Sequence, residues 1–235
     1  MMDLLYIVKE GEENEELRYS IRSAVTNYHF NNLVIAGYKP SWLKHVVHIP
    51  TVQNKDTKYE NSTANLKAAC ESNILSSDFV LMNDDFFILK PTREILPYHR
   101  GNVEEVIRHY ENKFATRYLW GMKKTYELIR KFKPEGIVNS YELHVPMIMN
   151  KAKVLEMLEL PRLHKIKIQA LHKRTLYGNY ANVGGQAIED VKVYKGKNLD
   201  YSDLRFVSSD DYTFKWHKLG LDVRRQFPTP SVFEV

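Results

Sequence analysis

Asp78-Phe79-Val80-Leu81-Met82-Asn83-Asp84-Asp85-Phe86-Phe87-Ile88-Leu89 sets two adjacent carboxylates between apolar runs. Phe79 to Met82 reads as a strand buried on both faces of a parallel sheet. Asp84 and Asp85 stand at its carboxyl end, where open α/β sheets bind ligands. Working upstream, Leu4 to Val8 is a similar strand, and from Glu15 the apolar spacing turns helical, with Leu17, Ile21, Ala24 and Val25 on one face. Leu33 to Ala36 is the next strand, ended by Gly37. Pro40-Ser41-Trp42-Leu43 is a turn into a short helix, and Val46 to Ile49 is a third strand, closed by Pro50. Thr63 to Ile74 forms a helix with Leu66, Ala69, Cys70 and Ile74 as its apolar set. The order β-α-β-turn-β-α-β predicts an α/β layered fold with a mostly parallel, Rossmann-like sheet flanked by helices.

Downstream the pattern is more helical. Val103 to Tyr118 (Val106, Ile107, Tyr110 and Phe114 in register), Lys123 to Phe132, Lys151 to Leu158 stopped by Pro161, and Ile166 to Tyr177 all read as helices. Ser140 to Met149 reads as loop and strand, Val191 to Tyr194 as a further strand. No repeat, low-complexity tract or linker divides the 235 residues, so one domain is expected. The single cysteine excludes an internal disulfide and suits a reducing compartment. No apolar run approaches the roughly 18 residues of a membrane span. Met1-Met2-Asp3 lacks the basic start of a secretory signal.

The net charge of +5 leans toward a polyanionic partner. Arg162, Lys165, Lys167, Lys173 and Arg174 cluster in a segment without acids. This is either a solvated surface or a face for acceptor phosphates. Asp84 and Asp85 suit a hard cation, Mg²⁺ or Mn²⁺, the alternative being a turn that caps the strand. Arg18 and Arg22, spaced i, i+4, present guanidinium forks suited to phosphate, or else a solvent-facing pair. His144 lies in an apolar stretch before Pro146. It is a candidate general base, a candidate metal ligand or a hydrogen-bonded core histidine. Asp210 and Asp211 after Ser208-Ser209 either join the site as base or ligand, or cap a terminal helix. Glu189-Asp190 is a third acidic candidate. The chain has neither a GxxxxGK[ST] loop nor a GxGxxG fingerprint.

Val80-Leu-Met-Asn-Asp-Asp-Phe-Phe-Ile-Leu-Lys-Pro91 resembles the aspartate motif of GT-A-fold nucleotide-sugar transferases. More narrowly, it is similar to the Stealth group of sugar-phosphate transferases. Glu16-Leu-Arg-Tyr-Ser-Ile-Arg-Ser23 resembles the Stealth helix after the first strand, and Pro40-Ser-Trp-Leu43 its turn after the second. Asn61 to Asn73 resembles its Asn-containing segment, and Tyr141-Glu-Leu-His-Val-Pro146 its His-x-Pro element. These follow the family's order over residues 3 to 150. Lys9 departs from it, standing where an aspartate of a Val-Asp-Gly loop is expected. The resemblance implies a cation on Asp84 and Asp85, with His144 a further ligand, held against the diphosphate of a nucleotide sugar. Arg18, Arg22, Asn65, Asn83 and Asp84 would contact the donor, a UDP-sugar in the favoured reading. Residues 1–100 would then form the donor half and 101–235 the acceptor half. It implies glycosyl transfer to a glycan, or phosphosugar transfer to a polysaccharide, in the cytoplasm of a bacterial or phage-infected cell. The basic segment adds a hydroxylated base of phage DNA as acceptor. A non-catalytic nucleic-acid-binding module is the contrasting expectation.

Overall fold

The computed structural model describes residues 1–11, 13–111, 116–197 and 199–235. A mostly parallel sheet flanked by helices forms its centre, as the sequence predicts. β1 (Asp3–Val8), β2 (Leu33–Gly37), β3 (Val47–Ile49) and β4 (Asp78–Met82) run parallel. β7 (Met147–Asn150) joins β4 antiparallel, giving the order β3-β2-β1-β4-β7. Two short pairs lie outside this sheet: β5 (Phe86–Ile88) with β9 (Phe206–Ser208), antiparallel, and β6 (Tyr98–His99) with β8 (Gln186–Ala187), parallel.

Strand alternation divides the core into two faces. Leu4, Tyr6 and Val8, with Leu33, Ile35, Val80 and Met82, pack on Leu17, Ile21 and Ala24 of α1 (Glu15–Asn27). Leu5, Val34, Ala36, Phe79 and Leu81 face the other way, onto α2 (Lys58–Glu71), α3 (Val103–Glu111), α4 (Arg117–Phe132), α5 (Lys151–Leu163) and α6 (Lys173–Tyr180). Cys70 is buried in this second cluster, and burial pushes its thiol up to about 12. A third cluster joins Phe87 and Val207 to Phe214, Leu219 and Val223 of α7 (Asp211–Trp216) and α8 (Lys218–Gln226).

Several boundaries differ from the sequence reading. α2 starts earlier than Thr63, because Thr57 caps it by accepting from Glu60 N–H, and Ile74 lies beyond its end and exposed. Val25 is likewise partly exposed, and the short helix expected after Pro40 is only a turn, with Leu43 bridged to Glu234. The helix expected over 103–118 is α3 up to Glu111, and Phe114 lies outside the described residues. α4 begins well before Lys123, with Thr116 as its cap. α5 runs through Pro161, which sits in its last turns. Residues 166–172 are not helical. They lie against α4, so close that a Cβ on Gly121 would stand 2.1 Å from the Ala170 carbonyl, and α6 starts only at Lys173. Within 191–194 only Lys192 makes a strand bridge, to Ser208.

Candidate active site at the strand ends

β1 leads through β2 to β3 on one side of the sheet, and β4 returns to the other side of β1. The crevice beyond the carboxyl ends of β1 and β4 is therefore the topological switch point. Lys9 follows β1 there, and Asn83, Asp84 and Asp85 follow β4. Phe86 N–H donates to the Asn83 carbonyl at 3.3 Å, closing a turn with the two aspartates at its centre.

That turn is held by α1. Ser23 Oγ accepts from Ile88 N–H at 3.0 Å, Ser20 Oγ donates to the Phe86 carbonyl, and Asn27 Nδ2 donates to the Ile88 carbonyl at 2.7 Å. A helix polar on one edge can thus fix the backbone of β5, and with it the aspartates. On its other edge β5 pairs with β9, Phe86 facing Ser208, and Ser209 N–H reaches the Asp85 carbonyl at 3.3 Å. This ladder brings the second acidic pair, Asp210 and Asp211, up to the first.

The result is a crowded group of carboxylates. Ser209 Oγ donates to Glu16 Oε1 at 2.6 Å. Burial, reinforced by a hydrogen bond with Asp211, pushes Glu16 up to about 9, while that same bond holds Asp211 below its ordinary value. Of the two, Glu16 therefore holds a proton more readily than Asp211. Burial and the neighbouring charge of Asp85 push Asp84 up to about 7. Two lysines oppose this charge: Lys9 Nζ lies 3.6 Å from Asp211, and Lys192 Nζ donates to Asp85 Oδ2 at 3.0 Å. Asp85 Oδ1 is buried without a hydrogen-bond partner. An orphaned carboxylate oxygen beside neighbours forced toward neutrality is the environment a cation would relieve, so these residues fit one. Among the described residues no three His, Cys, Asp or Glu side chains form a ready cage.

His144 lies apart from the aspartates' turn but joins it through one segment. Its Nδ1 contacts both oxygens of Asp190 at 2.9 Å, and its backbone N–H donates to Asp190 at 3.2 Å. Burial would raise Asp190, yet these bonds hold it down to about 2. The carboxylate accepts, so Nδ1 donates and carries a proton. Two residues on, Lys192 holds Asp85. Asn65 is buried under the ends of β1 and β2. Its Oδ1 accepts from Thr51 Oγ1 at 2.6 Å, and its Nδ2 would lie 2.6 Å from a Cβ on Gly37.

Other sequence candidates are already committed elsewhere. Arg22 binds Glu234 through Nε and Nη2, both at 2.8 Å, and the carbonyls of Phe227 and Pro228 through Nη1. Arg18 donates to Glu234 at 3.0 Å and lies over the Trp42 ring. The two arginines clasp the 228–235 segment instead of offering free forks at the crevice. The same segment reaches the Trp42 turn through Val235 N–H to the Trp42 carbonyl and Lys44 N–H to the Phe233 carbonyl. Asp210 caps α7, accepting from Thr213 N–H at 2.8 Å. Arg174 is buried and donates to the carbonyls of Leu143, Val145 and Leu81. Lys173 donates to Ser62 Oγ at 2.8 Å, and Arg162 pairs with Glu159. Of the basic segment, Lys165 and Lys167 keep exposed side chains with no ion pair among the described residues. Glu16 and Lys192 were missed, and only pairings between residues 193 and 107 positions apart reveal them.

The architecture is that of the GT-A glycosyltransferases. The fold matches an active-site mutant of LgtC with a TM-score of 0.55 at 10% identity, covering 98% of each chain. It also matches the galactosyltransferase LgtC in complex with donor and acceptor sugar analogues, with a TM-score of 0.51, 10% identity and the same coverage. No family model and no curated protein sequence matches the chain. No helix among the described residues is long and apolar enough to cross a membrane.

Proposed function

We propose that the protein is a divalent-cation-dependent glycosyltransferase that moves a sugar from a nucleotide-sugar donor, favoured as a UDP-sugar, to an acceptor hydroxyl. The observation that carries this reading is the unpartnered, buried Oδ1 of Asp85 at the switch point of a GT-A-type sheet. Asp84 and Asp85 are the residues that would hold Mn²⁺ or Mg²⁺, which when bound offsets the charge of a departing diphosphate. Lys192 fixes Asp85 by its other oxygen, and Lys9 keeps a cation at the mouth of the crevice. Asn65 and Asn83 lie on the donor side. His144 takes the acceptor's proton on Nε2 as the hydroxyl oxygen bonds the anomeric carbon and the bond from that carbon to the phosphate oxygen breaks. Asp190 then stabilises the imidazolium.

The test is calorimetric titration of UDP and UDP-sugars, with and without Mn²⁺, into the wild type and Asp85→Ala. Mn²⁺-dependent binding lost in the variant is expected. Binding that ignores both metal and substitution overturns the assignment. The ordered motifs resembling Stealth favour a second reading, phosphosugar transfer, in which the phosphoanhydride breaks. The released nucleotide separates the two, UDP for glycosyl transfer and UMP for phosphosugar transfer.

A further inference from the structure

α7 turns Thr213 and Phe214 inward, with Phe214 stacked on Phe87 at 5.4 Å, and leaves its opposite face unused by the fold. On that face Tyr212 and Trp216, spaced i, i+4, are 50% and 67% exposed. Lys195 lies 5.6 Å from the Tyr212 ring and His217 5.4 Å, while Lys215 lies 5.3 Å from the Trp216 ring. Tyr194, next to Lys195, is 48% exposed. Lys195 and Lys215 have no carboxylate partner among the described residues. Singly exposed rings are ordinary. Here three rings and two uncommitted ammoniums flank the carboxylate crevice: Tyr212 follows Asp211, and Tyr194 and Lys195 follow Lys192.

We propose that this rim binds a single-stranded nucleic acid and presents it as the acceptor to the adjacent crevice. The inference rests on the transferase reading of those carboxylates, whose acceptor it names. Rings and cations alternate here as bases and phosphates alternate along a strand. Aromatic stacking with neighbouring lysines is how sequence-tolerant strand binders work. A membrane-surface helix segregates its rings and aliphatic residues from its lysines, and α7 is only six residues long. The basic segment 162–174, with Lys173 and Arg174 committed internally, contributes less to such a surface.

The experiment is fluorescence anisotropy with a labelled oligothymidylate over a salt series, without donor. It compares the wild type with Tyr212→Ala, Trp216→Ala and the charge-reversed Lys195→Glu/Lys215→Glu. The substituted side chains are largely exposed, and circular dichroism checks each fold. Loss of about tenfold in affinity for each ring variant is expected, with a shallower salt dependence in the charge-reversed protein. No binding at low salt, or binding indifferent to the ring variants, overturns the proposal. So does stronger retention on anionic phosphatidylglycerol vesicles, which indicates a membrane surface, or displacement by heparin with no ring dependence, which indicates an anionic glycan. UDP titration is read separately, so failure of the rim to bind a strand is distinguished from failure of the transferase reading, which would overturn the acceptor role as well.

Discussion

Asp85 puts its two oxygens in different surroundings, one on Lys192 and one buried without a partner. Asp85→Asn keeps the shape and removes the charge, so Mn²⁺ affinity measured by calorimetry should fall at least about tenfold with the fold intact. His144→Ala should lower kcat by about 10²–10⁴-fold while leaving UDP binding unchanged, since its neighbours are Asp190 and Phe86. Glu16 gives a pH signature. Its folded value is raised above the unfolded one, so its contribution is complete below about 4.5 and is lost as pH rises through about 9. Glu16→Gln retains a donor toward Asp211 and has no such proton to lose. Its urea midpoint should therefore decline less between pH 5 and 9 than that of the wild type. An unchanged decline would show that another group sets the slope.

β5 has three residues and depends on neighbours for its position. Ser23→Ala leaves the Ile88 N–H buried without its acceptor and should cost about 1–3 kcal/mol in urea melts, with weaker Mn²⁺ binding as the aspartates' turn loosens. Elements of this kind mark where sequence reading stops. β1, β2 and β4 are legible because a strand buried on both faces is a continuous apolar run. The aspartates are legible as charges at the end of one. β5 and β9 are not, because three residues carry no period, and the pairing of Phe86 with Ser208 depends on chain some 120 residues away. Arg18 and Arg22 read correctly as neighbours on one helix face, but their partner, Glu234, is invisible from spacing. Lys173 and Arg174 read as a surface patch because a charge run gives no sign of the carbonyls and the serine hydroxyl that receive it.

At the scale of the whole molecule, the Glu234 clasp ties the 228–235 segment to α1 and the Trp42 turn. The Arg22 and Glu234 side chains are only 8% and 2% exposed. Burial would raise Glu234, but Arg22 and Ser231 hold it down to about 2. Its contribution is present above about 4.5 and is lost as pH falls toward 2. Glu234→Ala should therefore cost about 3–5 kcal/mol near neutrality, because it strands a buried guanidinium. Arg22→Leu/Glu234→Leu should cost less than that single change, and a double-mutant cycle of urea midpoints decides it. The clasp also has a consequence for biosynthesis. Arg22 leaves the ribosome 212 residues ahead of Glu234, a wait of roughly 10–40 s at elongation rates of about 5–20 residues per second. Until then the Arg22 guanidinium lacks its carboxylate partner. Over that interval the nascent chain carries an unpaired Arg22 charge on α1, and chaperones that hold such intermediates would meet it there.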